Sequence, residues 1–95
     1  MTTHIVMFAF HNKNKVENID KAKELLNNLM GKVPSLLSME VGINFSSEER
    51  AMDLSIITTF KDRAGLEEYA LHPEHLKVVE FIKEVASSSK VVDYE

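Results

Sequence analysis

Apolar residues recur along this chain with two periods, one near two residues and one near 3.6, and the switches between them mark the elements. Residues 4–10 read His-Ile-Val-Met-Phe-Ala-Phe. Val6, Phe8 and Phe10 fall on one alternating face and Ile5, Met7 and Ala9 on the other, which predicts a strand covered on both sides. Over residues 14–30 the spacing becomes helical: Val16, Ile19, Ala22, Leu26, Leu29 and Met30 form one stripe. Gly31 can take the positive φ that ends a helix, and Pro34 blocks its continuation. Alternation returns over residues 36–44, with Leu37, Met39, Val41 and Ile43 against Ser38, Glu40, Gly42 and Asn44. It returns again over 53–60, with Leu54, Ile56 and Phe60 opposite Ser55, Ile57 and Thr59. The polar stretch between these two strands has no room for a crossover helix, so they are predicted to form an antiparallel hairpin.

Asp62 suits an N-cap, and Leu66, Tyr69 and Ala70 follow at helical spacing. His72-Pro73 interrupts that helix, because the residue before a proline is pushed out of the helical region. Pro73 then suits the first turn of a new helix over 73–85, with Leu76, Val79, Ile82 and Val85 predicted inward and Val78 and Phe81 flanking. Residues 90–94 read as the last strand, and Ser87, Ser88 and Ser89 as a connection before it. The order is β-α-β-β-α-β with the second helix broken in two: an α+β, ferredoxin-like βαββαβ arrangement, an antiparallel four-stranded sheet with helices on one face. The doubly apolar first strand and the row on the second leave the other face in need of cover. A second copy supplies the simplest cover, since two-fold dimers are the commonest oligomers. Two such sheets give an eight-stranded, barrel-like assembly that side chains or one small ligand can fill.

Composition narrows the function classes. The chain has 95 residues, 44% of them apolar, enough for one domain over 1–95. It has no cysteine, which removes disulfides, thiolate metal sites and a cysteine nucleophile, and fits the cytoplasm. No secretory signal pattern or membrane-length apolar run is predicted. The net charge is −4 with scattered basic residues, which argues against a nucleic-acid partner.

Four segments carry a family resemblance: His4-Ile-Val-Met-Phe-Ala-Phe10, Val33-Pro-Ser-Leu-Leu-Ser-Met-Glu-Val-Gly42, Phe60-Lys-Asp-Arg-Ala-Gly-Leu-Glu-Glu-Tyr-Ala-Leu-His-Pro-Glu-His75, and Lys90-Val-Val-Asp-Tyr94. Together they resemble the stress-responsive α/β-barrel (Dabb) domain family, and the Tyr-x-x-His-Pro-x-His string is their most specific part. The resemblance implies a dimeric α/β barrel, normally a homodimer, with a cavity between the helices and the sheet of each subunit. Most bacterial members have no assigned activity, and the overall pattern is closest to these. Plant members include a polyketide cyclase that closes a ring by aldol condensation without a cofactor. The resemblance matches the cyclase's catalytic pair to Tyr69 and His75, and its substrate-positioning histidine to His4. A further cyclase histidine falls at Leu54, where this chain departs from the pattern.

Three readings follow. One is a homodimer that binds a small apolar or carbonyl-containing ligand near His4, His72 and Leu54 as well as Tyr69 and His75. A second is a cofactor-independent cyclase or isomerase in which His75 removes a proton beside a carbonyl and Tyr69 donates a hydrogen bond. A third is a structural stress protein in which Tyr69 packs in a helix stripe and the histidines satisfy backbone groups at the break. His72-x-x-His75 also has a spacing seen among metal ligands, but Pro73 separates the two and the sequence offers no third ligand, so no metal or cofactor is expected.

Overall fold

Strand β1 (Thr2–Phe10) runs into helix α1 (Lys15–Asn27), the hairpin β2 (Ser38–Ile43) and β3 (Leu54–Phe60), helices α2 (Arg63–Leu71) and α3 (Pro73–Val85), and finally β4 (Ala86–Tyr94). This is a computed structural model, and it describes residues 1–95. The strands form one antiparallel sheet in the order β2-β3-β1-β4, the ferredoxin-like arrangement read from the sequence.

Register decides which side chains share a face. Thr2, His4, Val6 and Phe8 of β1 lie opposite Phe60, Thr58, Ile56 and Leu54 of β3. Met39, Val41 and Ile43 of β2 continue these rows. All of them look toward the helices, where Ile19, Ala22, Leu26 and Leu29 of the α1 region, Tyr69 of α2, and Val78 and Ile82 of α3 complete the core. The apolar row of β2 therefore belongs to the core side. It does not contribute to the open face as the sequence pattern suggested, because a strand's alternation shows that one face is buried without showing which. The open face is apolar for another reason: Ile5 sits between Ile57 and Val92, with Met7 and Tyr94 beside them.

Local chemistry sets the boundaries. Asn14 takes a left-handed φ of 53° before α1, a conformation that asparagine tolerates better than most residues. Gly31 takes φ 87° after the turns that follow α1. The Asp62 carboxylate accepts a hydrogen bond from the Gly65 amide and caps α2. Three expectations need correction. Val16 and Leu76 are exposed, since the buried arcs centre on Ile19–Leu26 and on Val78 and Ile82 and the outer ends of each stripe lie off the sheet. Leu37 is exposed as well, and Leu36 enters the core in its place. Ser87, Ser88 and Ser89 lie inside β4, which begins directly after α3; pairing with β1 overrides their weak strand preference. Asp53 pins this end of β1, accepting a 2.7 Å hydrogen bond from the Phe10 amide close to a register shift between Ala9 and Phe10.

Candidate functional site

The break between α2 and α3 gathers three of the predicted residues. Tyr69 occupies the last turn of α2, His72 the junction, and His75 the first turn of α3. Pro73 removes one backbone donor and fixes φ at the start of α3, so the chain turns there and does not continue α2. The Tyr69 ring lies 5.2 Å from that of Phe60 and 4.2 Å from that of His75, centroid to centroid. His4 arrives from β1 on the helix-facing side of the sheet. Leu54 lies on that same side but four residues further along the register, buried in the core and separate from the cluster.

Hydrogen-bond partners settle the proton positions on the three imidazoles. His75 Nδ1 lies 3.2 Å from the carbonyl oxygen of Ala70, which can only accept, so Nδ1 donates and Nε2 carries the lone pair of the neutral ring. His72 Nδ1 accepts from the Glu74 amide at 3.1 Å and caps α3, so its neutral ring holds its proton on Nε2. His4 Nδ1 donates to the Asp93 carboxylate, its neighbour in the β1–β4 register. Thr58, fully buried on the other flank of His4, donates through its hydroxyl to the His4 carbonyl at 3.2 Å.

Burial sets the proton affinities. It pushes the Tyr69 phenol up to about 12, so the group stays a hydrogen-bond donor at neutral pH. It holds His75 below the usual imidazole value; the Ala70 carbonyl opposes this in part, and His4 and His72 add to it. The Tyr69 hydroxyl finds no hydrogen-bond partner within the chain, and its oxygen still meets solvent although the side chain as a whole is buried; the one buried side-chain oxygen without a partner is the Ser35 hydroxyl. The cluster thus pairs an uncommitted donor with a neutral imidazole. No group of three or more His, Asp or Glu side chains is placed to hold a metal ion.

Surface hollows of about 210–340 Å³ lie elsewhere, and neither Tyr69 nor His75 lines them. One, of about 330 Å³ between α2 and the end of β4, borders the cluster through Leu66 and Asp93. Asp93 and Thr58 are the cluster members that sequence reasoning missed. Alternation in 90–94 places Asp93 opposite Val92 and Tyr94, but only the β1–β4 register, offset by the irregularity at Ala9 and Phe10, brings it to His4.

The lowered proton affinity of His75 has a consequence for stability. The unfolded imidazole titrates near 6.5 and the folded one below it, so the unfolded state binds more protons between the two values. The stabilisation is fully present above pH 6.5 and is lost as pH falls from there through the folded value. Urea unfolding from pH 7.5 down to 5.5 is expected to show this decline, and His75→Gln, whose side-chain amide can still donate to Ala70, is expected to flatten it. An unchanged slope in the variant would remove His75 as its source.

The sheet topology and the tyrosine–histidine cluster define an α+β protein of the ferredoxin-like class with a polar site between helices and sheet. The chain belongs to the stress-responsive A/B barrel domain family, whose model it matches over residues 2–95. Among solved structures it is similar to a dimeric ferredoxin-like protein of unknown function from Bacteroides fragilis, with 26% identity and a TM-score of 0.90 over 99% of this chain and 94% of that one. A dimeric ferredoxin-like protein of unknown function from Thermobifida fusca shares 17% identity at a TM-score of 0.88, over 98% of this chain and 88% of that one. A hydroxynitrile lyase from Passiflora edulis shares 20% identity at a TM-score of 0.86, over 98% and 90%. The last two likenesses show the fold alone. No curated protein matches the chain in sequence. No helix is long and apolar enough to cross a membrane.

Proposed function

We propose that this protein is a cytoplasmic homodimer that binds a small apolar ligand carrying a carbonyl oxygen at the Tyr69–His75 cluster. The observation that carries the reading is the Tyr69 hydroxyl: the side chain is buried, the phenol is protonated, and its oxygen has no partner in the chain and keeps contact with solvent. A hydroxyl with no partner in the chain bonds water in the free protein, and a ligand oxygen that accepts from it takes the place of that water. The Phe60 ring packs against that of Tyr69, and the neighbouring 330 Å³ hollow, lined by Thr2, Arg63, Leu66, Asp93, Tyr94 and Glu95, has room for a small molecule with polar groups at its outer end. Dimer formation is supported by the dimeric relative from Bacteroides fragilis, and by the apolar open face around Ile5, Ile57 and Val92. His4 takes part through its Asp93-oriented ring, and His72 mainly by capping α3.

Tyr69→Phe separates this role from packing. Removal of the hydroxyl is expected to leave folding stability unchanged or raised by up to about 1 kcal/mol, while weakening ligand binding at least roughly tenfold. Titration with a set of small aromatic ketones, aldehydes and matched hydrocarbons, followed by histidine ring NMR signals, tests it. Carbonyl compounds that shift His75 in the wild type and not in Tyr69→Phe support the reading. Equal response to ketone and hydrocarbon, or no response to either, counts against it.

A catalytic reading rests on the same pair, since neutral His75 beside protonated Tyr69 supplies a base and a hydrogen-bond donor for proton removal next to a carbonyl. Solvent deuterium exchange at the α-carbon of a bound ketone, lost in His75→Ala, would favour catalysis.

A further inference from the structure

We propose that the ligand of the Tyr69–His75 site also carries a carboxylate, which Arg63 and Thr2 bind in place of the Glu95 side chain. The inference rests on the ligand-binding reading and names the class of compound, an elongated carbonyl acid. Arg63 is the only cation that lines the hollow of about 330 Å³ between α2 and the end of β4. Two elements connect that hollow to the cluster. On α2, Leu66 lies about one turn before Tyr69 and Arg63 about one turn before Leu66, roughly 9 Å from Tyr69 along the helix. On β1, Thr2 lies two residues from His4 on the same helix-facing side, opposite Phe60, whose ring packs on that of Tyr69. A carbonyl at Tyr69 and a carboxylate at Arg63 thus fall at opposite ends of one molecule, with Leu66 beside its middle.

Glu95 already displays the chemistry that this outer end accepts. Its Oε1 takes a hydrogen bond from Arg63 Nη2 at 2.9 Å, and its Oε2 lies 3.5 Å from the Thr2 hydroxyl. One carboxylate is thereby held between a guanidinium and a hydroxyl, and it is held loosely. Arg63 makes no other side-chain bond, so most donors of its fork stay open. Both members of the ion pair are exposed, and an exposed pair contributes little to stability. Thr2 is only 2% exposed, yet the one side-chain bond of its hydroxyl is this long contact, at the weak end of the range. A ligand carboxylate is not tethered to the backbone at Glu95, so it can turn both oxygens to the guanidinium in the stronger bidentate geometry. Asp93, the other acid of the hollow, is engaged by His4. Exchange of one carboxylate for another leaves the charge of the hollow unchanged, so no new repulsion opposes it.

Isothermal titration calorimetry on the full chain tests this with a phenyl ketone whose alkyl chain ends in a carboxylate, and with the methyl ester of the same acid. The wild type is expected to bind the acid at least roughly tenfold more tightly than the ester. Arg63→Gln is expected to bring that ratio to about one, and Thr2→Val to lower it roughly two- to fivefold. Glu95→Gln keeps the shape of the competing side chain and removes its charge, and is expected to raise the ratio roughly three- to tenfold. Lys61→Gln removes an exposed cation that lines a different hollow, and is expected to leave the ratio unchanged. Circular dichroism verifies that every variant is folded. An acid bound no more tightly than its ester by the wild type, or a preference that survives Arg63→Gln, overturns the carboxylate assignment. Ester binding that is weakened in Tyr69→Phe would then show that the carbonyl site stands without it. No binding of either compound to the wild type overturns the ligand site and the carboxylate assignment with it.

Discussion

Phe60→Ala is expected to lower folding stability by about 3–5 kcal/mol, the usual cost of emptying a large buried aromatic site. Phe60 is fully buried at the end of β3, with Thr2 opposite it on β1 and the Tyr69 ring 5.2 Å away on α2. A Cβ added at Gly65 would lie 3.4 Å from its own Cβ, so α2 rests closely on this side chain. The backbone around the site is held on several sides and cannot collapse fully into the vacated volume, which places the cost toward the upper end. A domain of this size has about 5–15 kcal/mol in total, so the variant should retain a fold with little margin. Chemical denaturation measures the difference directly. A loss below about 1 kcal/mol would mean that Phe60 does not anchor α2 to the sheet. Because Phe60 also supports the Tyr69 ring, the histidine NMR signals of the folded fraction should shift too.

Ile5→Lys is expected to convert the protein to a folded monomer. Ile5 occupies the middle of the open face, between Ile57 on β3 and Val92 on β4. Its side chain points away from the helices, so a lysine there meets water in the single chain and leaves the core untouched. In the dimer, two-fold symmetry places two such ammonium groups between the sheets, each losing water with no carboxylate beside it. The effective penalty for an unpaired buried ion is several kcal/mol, so dimer affinity should fall by at least about a hundredfold. Sedimentation velocity together with circular dichroism checks both halves of the prediction. A dimer as tight as wild type would show that association uses another surface. An unfolded variant would show that the open face carries more of the chain's own stability than the register implies.

The limits of sequence reading in this chain have identifiable causes. The break at His72-Pro73 and the bounds of α3 were legible because proline acts locally on its own φ and on the residue before it. Strand β3 was legible because its alternation is unbroken from Leu54 to Phe60, as its burial pattern confirms. The start of β4 was hidden because three serines resemble a connection until β1 supplies a pairing partner. The rim positions Val16 and Leu76 match their helical stripes in period, but period carries no information about where the sheet ends. The same holds for the row on β2, whose alternation is right and whose face depends on its register with β3. Within the candidate site, Tyr69, His72 and His75 were available from one short string. Asp93 required the pairing of strands that lie 89 residues apart at the contact with His4. The partnerless state of the Tyr69 hydroxyl is a property of three-dimensional packing and has no sequence signature.

Untargeted mass spectrometry of small molecules released from the gently purified protein bears most directly on the proposed function. The wild type is expected to yield a carbonyl-containing compound in near-stoichiometric amount, with Tyr69→Phe and His75→Ala, purified alongside, yielding far less. The same compounds recovered in equal amounts from all three proteins, or no compound recovered from the wild type, would contradict a ligand site at Tyr69 and His75.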